Sequence, residues 1–551
     1  MRNFINTFTL ENLRGDMWGG VTAAIVSLPM ALTFGVASGA GAEAGLYGAI
    51  LVGLFASLFG GTQTLISEPT GPMTVMMTAV IASLIASNPE TGLAMAFTVI
   101  ILAGIFQILF GFLKLGRYIT LIPQSVISGF MSGIGIILII LQLGPLMGQP
   151  TQSGGVVGTL IALPELFANI DTIELSIAFI TLAILIFYPA KWKRFLPPQL
   201  LALLLITVSV ALFLGDADIR RVGVIDISIP VPHLPVFTQE QMLLMLVDAM
   251  VLGMLGCIDS MLSSVIADNL TKTEHKSDKE LIGQGMGNVM SGLFGGLPGA
   301  GATMGTVVNI QAGGRTHLSG VIRATVLIIA VFGASGLLQY IPLALLAAIA
   351  VKVGMDILDW SFIKRAHRVS WQTAIIMYGV IGLTVFIDLI VAVAVGVFVA
   401  NIMIIEKLST AQESKIKAIN AFDEAAKLSL EDRQSLIKCQ GKALLLELNG
   451  PMIFGVAKAL SRQLKQITEY ELIILDLEYV PMLDDTMCLT IENAILQIKE
   501  ADKQVIMIVR NRKLLEKFKR MGSFEDLPEN MIFKTRSVAL EQASELLSAK
   551  D

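Results

Sequence analysis

The amino-acid sequence predicts a polytopic α-helical membrane protein of about fourteen segments in a 7+7 inverted repeat, with core and gate bundles, followed by a C-terminal α/β domain. Three observations carry the prediction. The 551 residues are 54% hydrophobic and 15% charged, with a mean hydropathy of +0.73, where a soluble domain carries roughly 25% charged residues. Apolar runs of spanning length recur as far as Lys407, beyond which Lys, Glu and Asp become frequent. Finally, one device occurs twice: LFGG, a run rich in Gly, Pro, Ser and Thr, and a further apolar segment, at 57–78 and again at 292–309.

The apolar stretches fall at 18–38, 44–60, 70–87, 93–113, 122–145, 172–189, 198–214, 242–267, 280–295, 302–313, 317–336, 342–357, 371–387 and 389–406. The N-terminal stretch MRNFINTFTLENLRGDMWGG lacks the basic, apolar and small-residue order of a cleaved signal, so the first apolar run reads as a span. Seven segments lie on each side of the loop 215–241. An odd number per half inverts the second half relative to the first. Lys and Arg set the orientation. With the N-terminus in the cytoplasm, Lys114, Arg117, Lys191, Lys193, Arg194, Lys272, Lys276, Lys279, Lys364, Arg365 and Arg368 all fall inside, and only Arg220 and Arg221 break the pattern.

Residues 1–407 thus form a membrane domain. The polar stretch 408–440 reads as a helical linker, and 441–551 as an α/β domain in which ALLLEL (443–448), ELIILDLE (471–478) and QVIMIVR (504–510) are strands between helices. Cys257, Cys439 and Cys488 show neither a disulfide framework nor metal-ligand spacing. Four histidines, no nucleophile constellation and no cofactor loop make an enzyme the least supported class, and no feature points to nucleic acid.

Gly and Pro as dense as in the paired devices interrupt helices, and in a bilayer irregular backbone survives only inside protein or beside a wet cavity. Interrupted segments at matching places in two halves point to a transporter's binding site. The segments near 70 and 302 therefore read as half-helices. Each presents unpaired N–H groups and a partial positive charge at its N-terminus, so two facing ends make an anion site without a basic residue. Ser67, Thr70 and Thr74 supply hydroxyls to the first, Thr303 and Thr306 to the second. The absence of Lys and Arg suits a small, weakly charged oxyanion better than a phosphate ester.

Asp259 stands mid-segment, where a carboxylate is costly and marks an ion or proton pathway. Ser263 lies one turn on, and free carbonyls near Ala302 and Gly305 complete an all-oxygen set suited to Na⁺. A proton-binding carboxylate, or one capping neighbouring backbone N–H groups, fits the same position. Glu68 reads either as a vestibule group or as a solvated loop carboxylate, and Arg315 as a cap on the second half-helix.

The residues LPMALTFGVASG (28–39), GLYGAI (45–50), both devices, GGRT and the tail pattern together resemble the SulP anion transporters, which join a fourteen-segment membrane domain to a cytoplasmic STAS domain. GGTQTLISEPTGPMT, GMLGCIDS, TEHKSDKELIGQG and NGPMIFGVAKA resemble the sodium-dependent bicarbonate branch of that family. The resemblance implies uptake of bicarbonate with Na⁺ across the plasma membrane by alternating access. It implies bicarbonate against Thr70, Gly71, Ala302 and Thr303, with Na⁺ among Asp259, Ser263, Ala302, Thr303 and Gly305. It also implies dimerisation and regulation through the STAS domain. In the related anti-sigma-factor antagonists a Ser after an Asp is phosphorylated; the matching pair is Asp485-Thr486, where Thr486 reads as a helix N-cap or as a regulatory hydroxyl. A sulfate or proton-coupled dicarboxylate carrier, an anion channel and a membrane-tethered signalling protein are the rival readings.

Overall fold

A computed structural model describes residues 5–6, 12–116, 123–152, 154–189, 197–214, 217–223, 231–387, 389–413, 415–420, 428–463, 469–521 and 527–548. Arg117, Lys191, Lys193 and Arg194, used above for orientation, lie outside these. The chain divides into two compact units, Met1–Phe398 and Val399–Asp551.

Every predicted apolar stretch contains a helix. In chain order they are α1 (Leu13–Ser38), α2 (Ala42–Phe59), α3 (Gly71–Ser87), α4 (Gly92–Phe112), α5 (Gln124–Leu141), α6 (Thr172–Phe187) and α7 (Pro198–Phe213). The second half holds α8 (Met242–Thr271), α9 (Ser277–Leu293), α10 (Thr303–Ala312), α11 (Leu318–Leu338), α12 (Leu343–Ile357), α13 (Trp371–Phe386) and α14 (Leu389–Glu413). Among the described residues, 6 helices are long and apolar enough to cross a membrane, and further apolar helices are shorter. The helix Trp360–Val369 carries Lys364, Arg365 and Arg368 between α12 and α13.

Packing sorts the helices into two bundles. In one, α1–α4 interleave with α8–α11; in the other, α5 packs on α12 and α13, and α6 on α7 and α12. The first four helices of each half thus share a core bundle, as an inverted repeat requires. Small residues bring its helices together, the device by which backbones approach closely in lipid. A Cβ on Gly104 (α4) would stand 2.5 Å from the Gly285 carbonyl oxygen (α9), and one on Gly285 would stand 2.5 Å from that of Gly104.

The two devices meet as strands. β1 (Ser67–Glu68) pairs with β2 (Ala300–Gly301), antiparallel, with Ser67 opposite Gly301 and Glu68 opposite Ala300. Because the two strands run oppositely, the helices that follow them, α3 and α10, start from one crossing and leave in opposite directions. The helices differ in length. α10 has 10 residues and is a half-helix; α3 has 17 and is longer than half a span, since each residue adds about 1.5 Å.

In the second unit β3 (Ile416–Ile419), β4 (Ala443–Leu448), β5 (Leu472–Asp476), β6 (Gln504–Ile508) and β7 (Ile532–Phe533) form one sheet in that order, antiparallel only between β3 and β4. The stretch expected as a helical linker is therefore not helical throughout. Ile416 and Ile419 are buried and pair with β4, so this polar stretch, expected as helix, contains a four-residue edge strand. The remaining helices are α15 (Leu430–Lys438), α16 (Ala457–Gln463), α17 (Asp485–Glu500), α18 (Arg512–Met521) and α19 (Arg536–Ser548).

Thr486 is not the N-cap of α17. Asp484 holds that place, its Oδ1 accepting from Met487 N at 2.7 Å, and Thr486 is exposed within the first turn. The neighbouring Asp485 bonds Lys517 Nζ at 2.7 Å, which holds its carboxyl below the usual range. We expect Asp484→Ala to destabilise this unit by about 1 kcal/mol, the ordinary worth of an N-cap, and Thr486→Ala to leave it unchanged. Urea titration of the full chain, followed by tryptic cleavage within 441–551, measures both.

Candidate functional site

Neither Thr70 before α3 nor Ala302 before α10 makes a side-chain capping bond, and no acidic residue lies in either first turn. The first-turn N–H groups stay open for an anion, those of Gly71 and Met73 in α3, where Pro72 supplies none, and those at the start of α10. Ile66 and Ala302 lace the crossing together: Ala302 N donates to Ile66 O at 2.8 Å, and Ile66 N to Thr306 Oγ1 at 3.0 Å.

A cavity of about 480 Å³ lies against both helix starts. Thr70, Gly71, Ala302 and Thr303 line it, with Asp259 from α8, while Met30, Phe34, Met131 and Ile357 make its apolar walls. Of the residues predicted to hold the two ions, Ser263 and Gly305 do not line the cavity. Ser263 stands behind it. Its Oγ donates to Gly301 O at 2.6 Å and lies 2.8 Å from Thr303 Oγ1. With the Ser263 proton spent on Gly301, Thr303 donates to Ser263 and keeps its lone pairs for the cavity. Gly305 faces β1 instead, where a Cβ would meet Ile66 Cγ2 at 3.0 Å and Glu68 Oε1 at 3.2 Å.

The carbonyls expected to be left free by a broken helix are not. Ala302 O accepts Thr306 N at 3.0 Å as the first bond of α10, and Gly305 sits inside that helix. The break falls between Leu293 and Thr303, where the sequence placed it.

Two buried polar atoms at the cavity have no hydrogen-bond partner: Asp259 Oδ2 and Thr70 Oγ1. A buried carboxylate oxygen costs free energy unless something pairs with it. An oxygen-seeking cation fits that need, with Asp259 and Thr303 as its side-chain donors. Thr74 Oγ1, one turn into α3, is likewise buried without a partner. Ser67 and Thr306 are already committed within the scaffold, to Gln284 Nε2 at 2.6 Å and to Ile66 N.

Glu68 is not a solvated loop carboxylate. It is buried, and its Oε2 accepts from Arg323 Nη2 at 2.6 Å. Arg323, in α11, is fully buried and also donates through Nε to Ser27 Oγ (2.9 Å) and through Nη1 to Ala49 O (2.9 Å) and Ser67 O (3.0 Å). Sequence reasoning missed it, although an Arg inside the apolar run LSGVIRATVL was visible.

It missed a second group as well. Glu280, Gln284, Asn288 and Ser291 follow one another at i, i+4, i+8 and i+11 along one face of α9, and all are buried. Glu280 accepts from Gly61 N and Thr62 N at 2.8 and 2.7 Å, Gln284 reaches Ser67, and Ser291 donates to Leu297 O at 2.6 Å. Asn288 holds Gly299 by both backbone groups, at 2.9 and 2.7 Å. This helix replaces water for the irregular backbone of both devices.

Arg315 does cap α10, donating to Ile310 O and Gly314 O at 3.1 and 3.0 Å. A larger cavity of about 850 Å³, lined by Trp18, Thr22, Gln199, Gln311 and Lys352, shares Met304, Val308 and Asp356 with the first. The crossing therefore communicates with the end of the bundle where α1 begins.

Two family models match the chain: the sulfate permease family over residues 13–380 and the STAS domain over 434–539. The bicarbonate transporter BicA of Synechocystis sp. is 56% identical over 539 residues, covering 98% of this chain and 95% of its own. The solved transmembrane domain of a cyanobacterium bicarbonate transporter BicA is 62% identical and superposes with a TM-score of 0.67, covering 71% of this chain and 100% of its own. The structure of SLC26A9, 18% identical, shares the fold with a TM-score of 0.83 over 98% of this chain and 92% of its own.

Proposed function

The chain belongs to the sulfate permease family, and from that premise we propose that it takes up bicarbonate together with Na⁺ by alternating access. One observation carries the proposal. Two uncapped helix starts and one unpaired buried carboxylate, Asp259, line the same cavity. Bicarbonate would take its hydrogen bonds from the first-turn N–H groups of α3 and α10, beside Thr70 and Gly71 on one side and Ala302 and Thr303 on the other. Na⁺ would sit on Asp259 and Thr303, with Ser263 behind orienting the Thr303 hydroxyl; the carbonyls of Ala302 and Gly305, taken up by or lying inside α10, drop out of the expected set. Each ion then makes the other's site better, which is reciprocal linkage.

Orientation with both termini in the cytoplasm of a plasma (inner) membrane is supported by Lys272, Lys276, Lys279, Lys364, Arg365 and Arg368 on one side. Of the two exceptions, Arg221 donates to Leu214 O at 3.0 Å, and Arg220 has a local reason for its place. Its Nε and Nη2 bond the buried Glu174 carboxylate at 3.0 and 2.7 Å, so its charge is satisfied within the protein. In that orientation the larger cavity opens inward. The STAS domain would join two chains as a homodimer, and Thr486, exposed beside the capped start of α17, is its candidate regulatory hydroxyl.

In liposomes holding the purified full chain, we expect saturable uptake of labelled bicarbonate that Na⁺ stimulates and a proton gradient does not drive. Uptake that fails to saturate and ignores Na⁺ identifies a channel. Competition by sulfate at bicarbonate-like concentrations identifies a sulfate carrier instead.

A further inference from the structure

Three carboxylates line the crossing cavity, Glu68, Asp259 and Asp356, and among the described residues no Lys, Arg or His lines it. Two of the three have a cation held against them from outside the cavity. Glu68 is paired to Arg323 at 2.6 Å, and Asp356 to Lys352 one helical turn away. Asp259 alone is uncompensated.

Arg323 cannot serve the transported anion itself. It is fully buried and does not line the cavity, and four donor bonds, to Ser27, Ala49, Ser67 and Glu68, use most of the five N–H groups of a guanidinium. Its charge is nevertheless close to the ion sites. Glu68, which it neutralises, has its other oxygen, Oε1, facing the backbone of Gly305 at the start of α10. In a medium of low dielectric such a charge is felt strongly.

Resting on the sodium and bicarbonate reading above, we infer that Arg323 and Glu68 set the coupling ratio and the charge of the substrate. By cancelling Glu68, Arg323 leaves a single net negative charge on the cavity, that of Asp259. One Na⁺ brings the site to neutrality, and one monovalent anion returns it to the charge of the empty site. A second Na⁺ has no carboxylate left to bind. A divalent oxyanion such as sulfate would leave the loaded site more negative than the empty one, and burying that excess charge is unfavourable. The site therefore selects a monovalent oxyanion, carried with one Na⁺ in an electroneutral cycle.

Glu68→Gln tests this directly. The amide oxygen still accepts the Arg323 hydrogen bond, but the guanidinium charge is no longer cancelled and substitutes for Na⁺ in balancing Asp259. Paired ²²Na⁺ and labelled bicarbonate fluxes in liposomes should give a ratio of one for the unmodified protein, unchanged when valinomycin and K⁺ impose a membrane potential. In Glu68→Gln, bicarbonate uptake should persist without Na⁺, with stimulation by Na⁺ reduced on the order of tenfold and sulfate now competing. Glu68→Asp, which retains a carboxylate, should restore the Na⁺ requirement. A flux ratio of two or more, a potential-driven flux, or an undiminished Na⁺ requirement in a folded Glu68→Gln overturns the inference while leaving sodium-coupled bicarbonate transport intact. Absence of Na⁺ stimulation in the unmodified protein overturns both. Should Glu68→Gln not fold, the flux ratio and its indifference to potential decide alone.

Discussion

Asp259→Asn is expected to abolish sodium-stimulated bicarbonate uptake and to lower the apparent affinity for the anion by about 5- to 150-fold, the usual span of a coupling free energy. The substitution keeps the shape of the side chain and removes only its charge. In the structure Asp259 Oδ2 is buried without a hydrogen-bond partner, so Asn loses no internal bond through that atom and the fold should be indifferent to it. On the proposed reading it loses the group that binds the cation, so Na⁺ would no longer assemble beside the helix starts and the anion would bind on open N–H groups alone. Initial uptake rates measured across a Na⁺ series, with thermal unfolding of the same preparation as a control, separate these effects. Sodium stimulation of ordinary size in a folded Asp259→Asn protein would refute the cation assignment. Were the group instead a proton carrier, the variant would lose its pH dependence and keep its response to Na⁺.

Much of this architecture is legible in the sequence because lipid imposes simple rules. Long apolar runs, a repeated Gly- and Pro-rich break, and a change of charge near Lys407 locate the helices, the crossing and the second unit. Asp259 stands out for the same reason, being a carboxylate in the middle of an apolar helix. Less legible were groups whose meaning depends on a partner far away in the chain. Glu68 looks solvated until Arg323, 255 positions on, is packed against it. The polar residues of α9 have helical spacing, yet nothing in sequence says that their face points at the two breaks and not at a second chain or at water. Short strands are the other blind spot. β1 and β2 have two residues each, and β3 four, too few for an alternation to show. The expected free carbonyls at Ala302 and Gly305 failed for a different reason: the helix restarts at Thr303, so the Ala302 carbonyl accepts its first intrahelical bond and Gly305 lies inside it.

Asn288→Leu should destabilise the core bundle by about 3 kcal/mol or more, because it orphans several buried groups at once. Asn288 Nδ2 donates to Gly299 O and to Gln107 Oε1 at 2.9 and 2.8 Å, and its Oδ1 accepts Gly299 N at 2.7 Å. Leu is similar in volume, so packing alone predicts a small effect. The loss is polar: Gly299 keeps neither bond to this side chain, Gln107 loses an acceptor's partner, and no bulk water reaches the interior of the bundle to replace them. Gly299 directly precedes β2, which pairs with β1, so the displacement is passed to Ala302 and Thr303 at the start of α10. Both a lowered midpoint in thermal unfolding of the detergent-purified protein and a raised KM for bicarbonate in surviving preparations are expected. Asn288→Ser, which retains a hydroxyl but cannot span both Gly299 groups, should fall between the two. An unshifted midpoint for Asn288→Leu would mean that the irregular segments are held by β1 and β2 alone, and that the polar face of α9 serves something other than the backbone of the crossing.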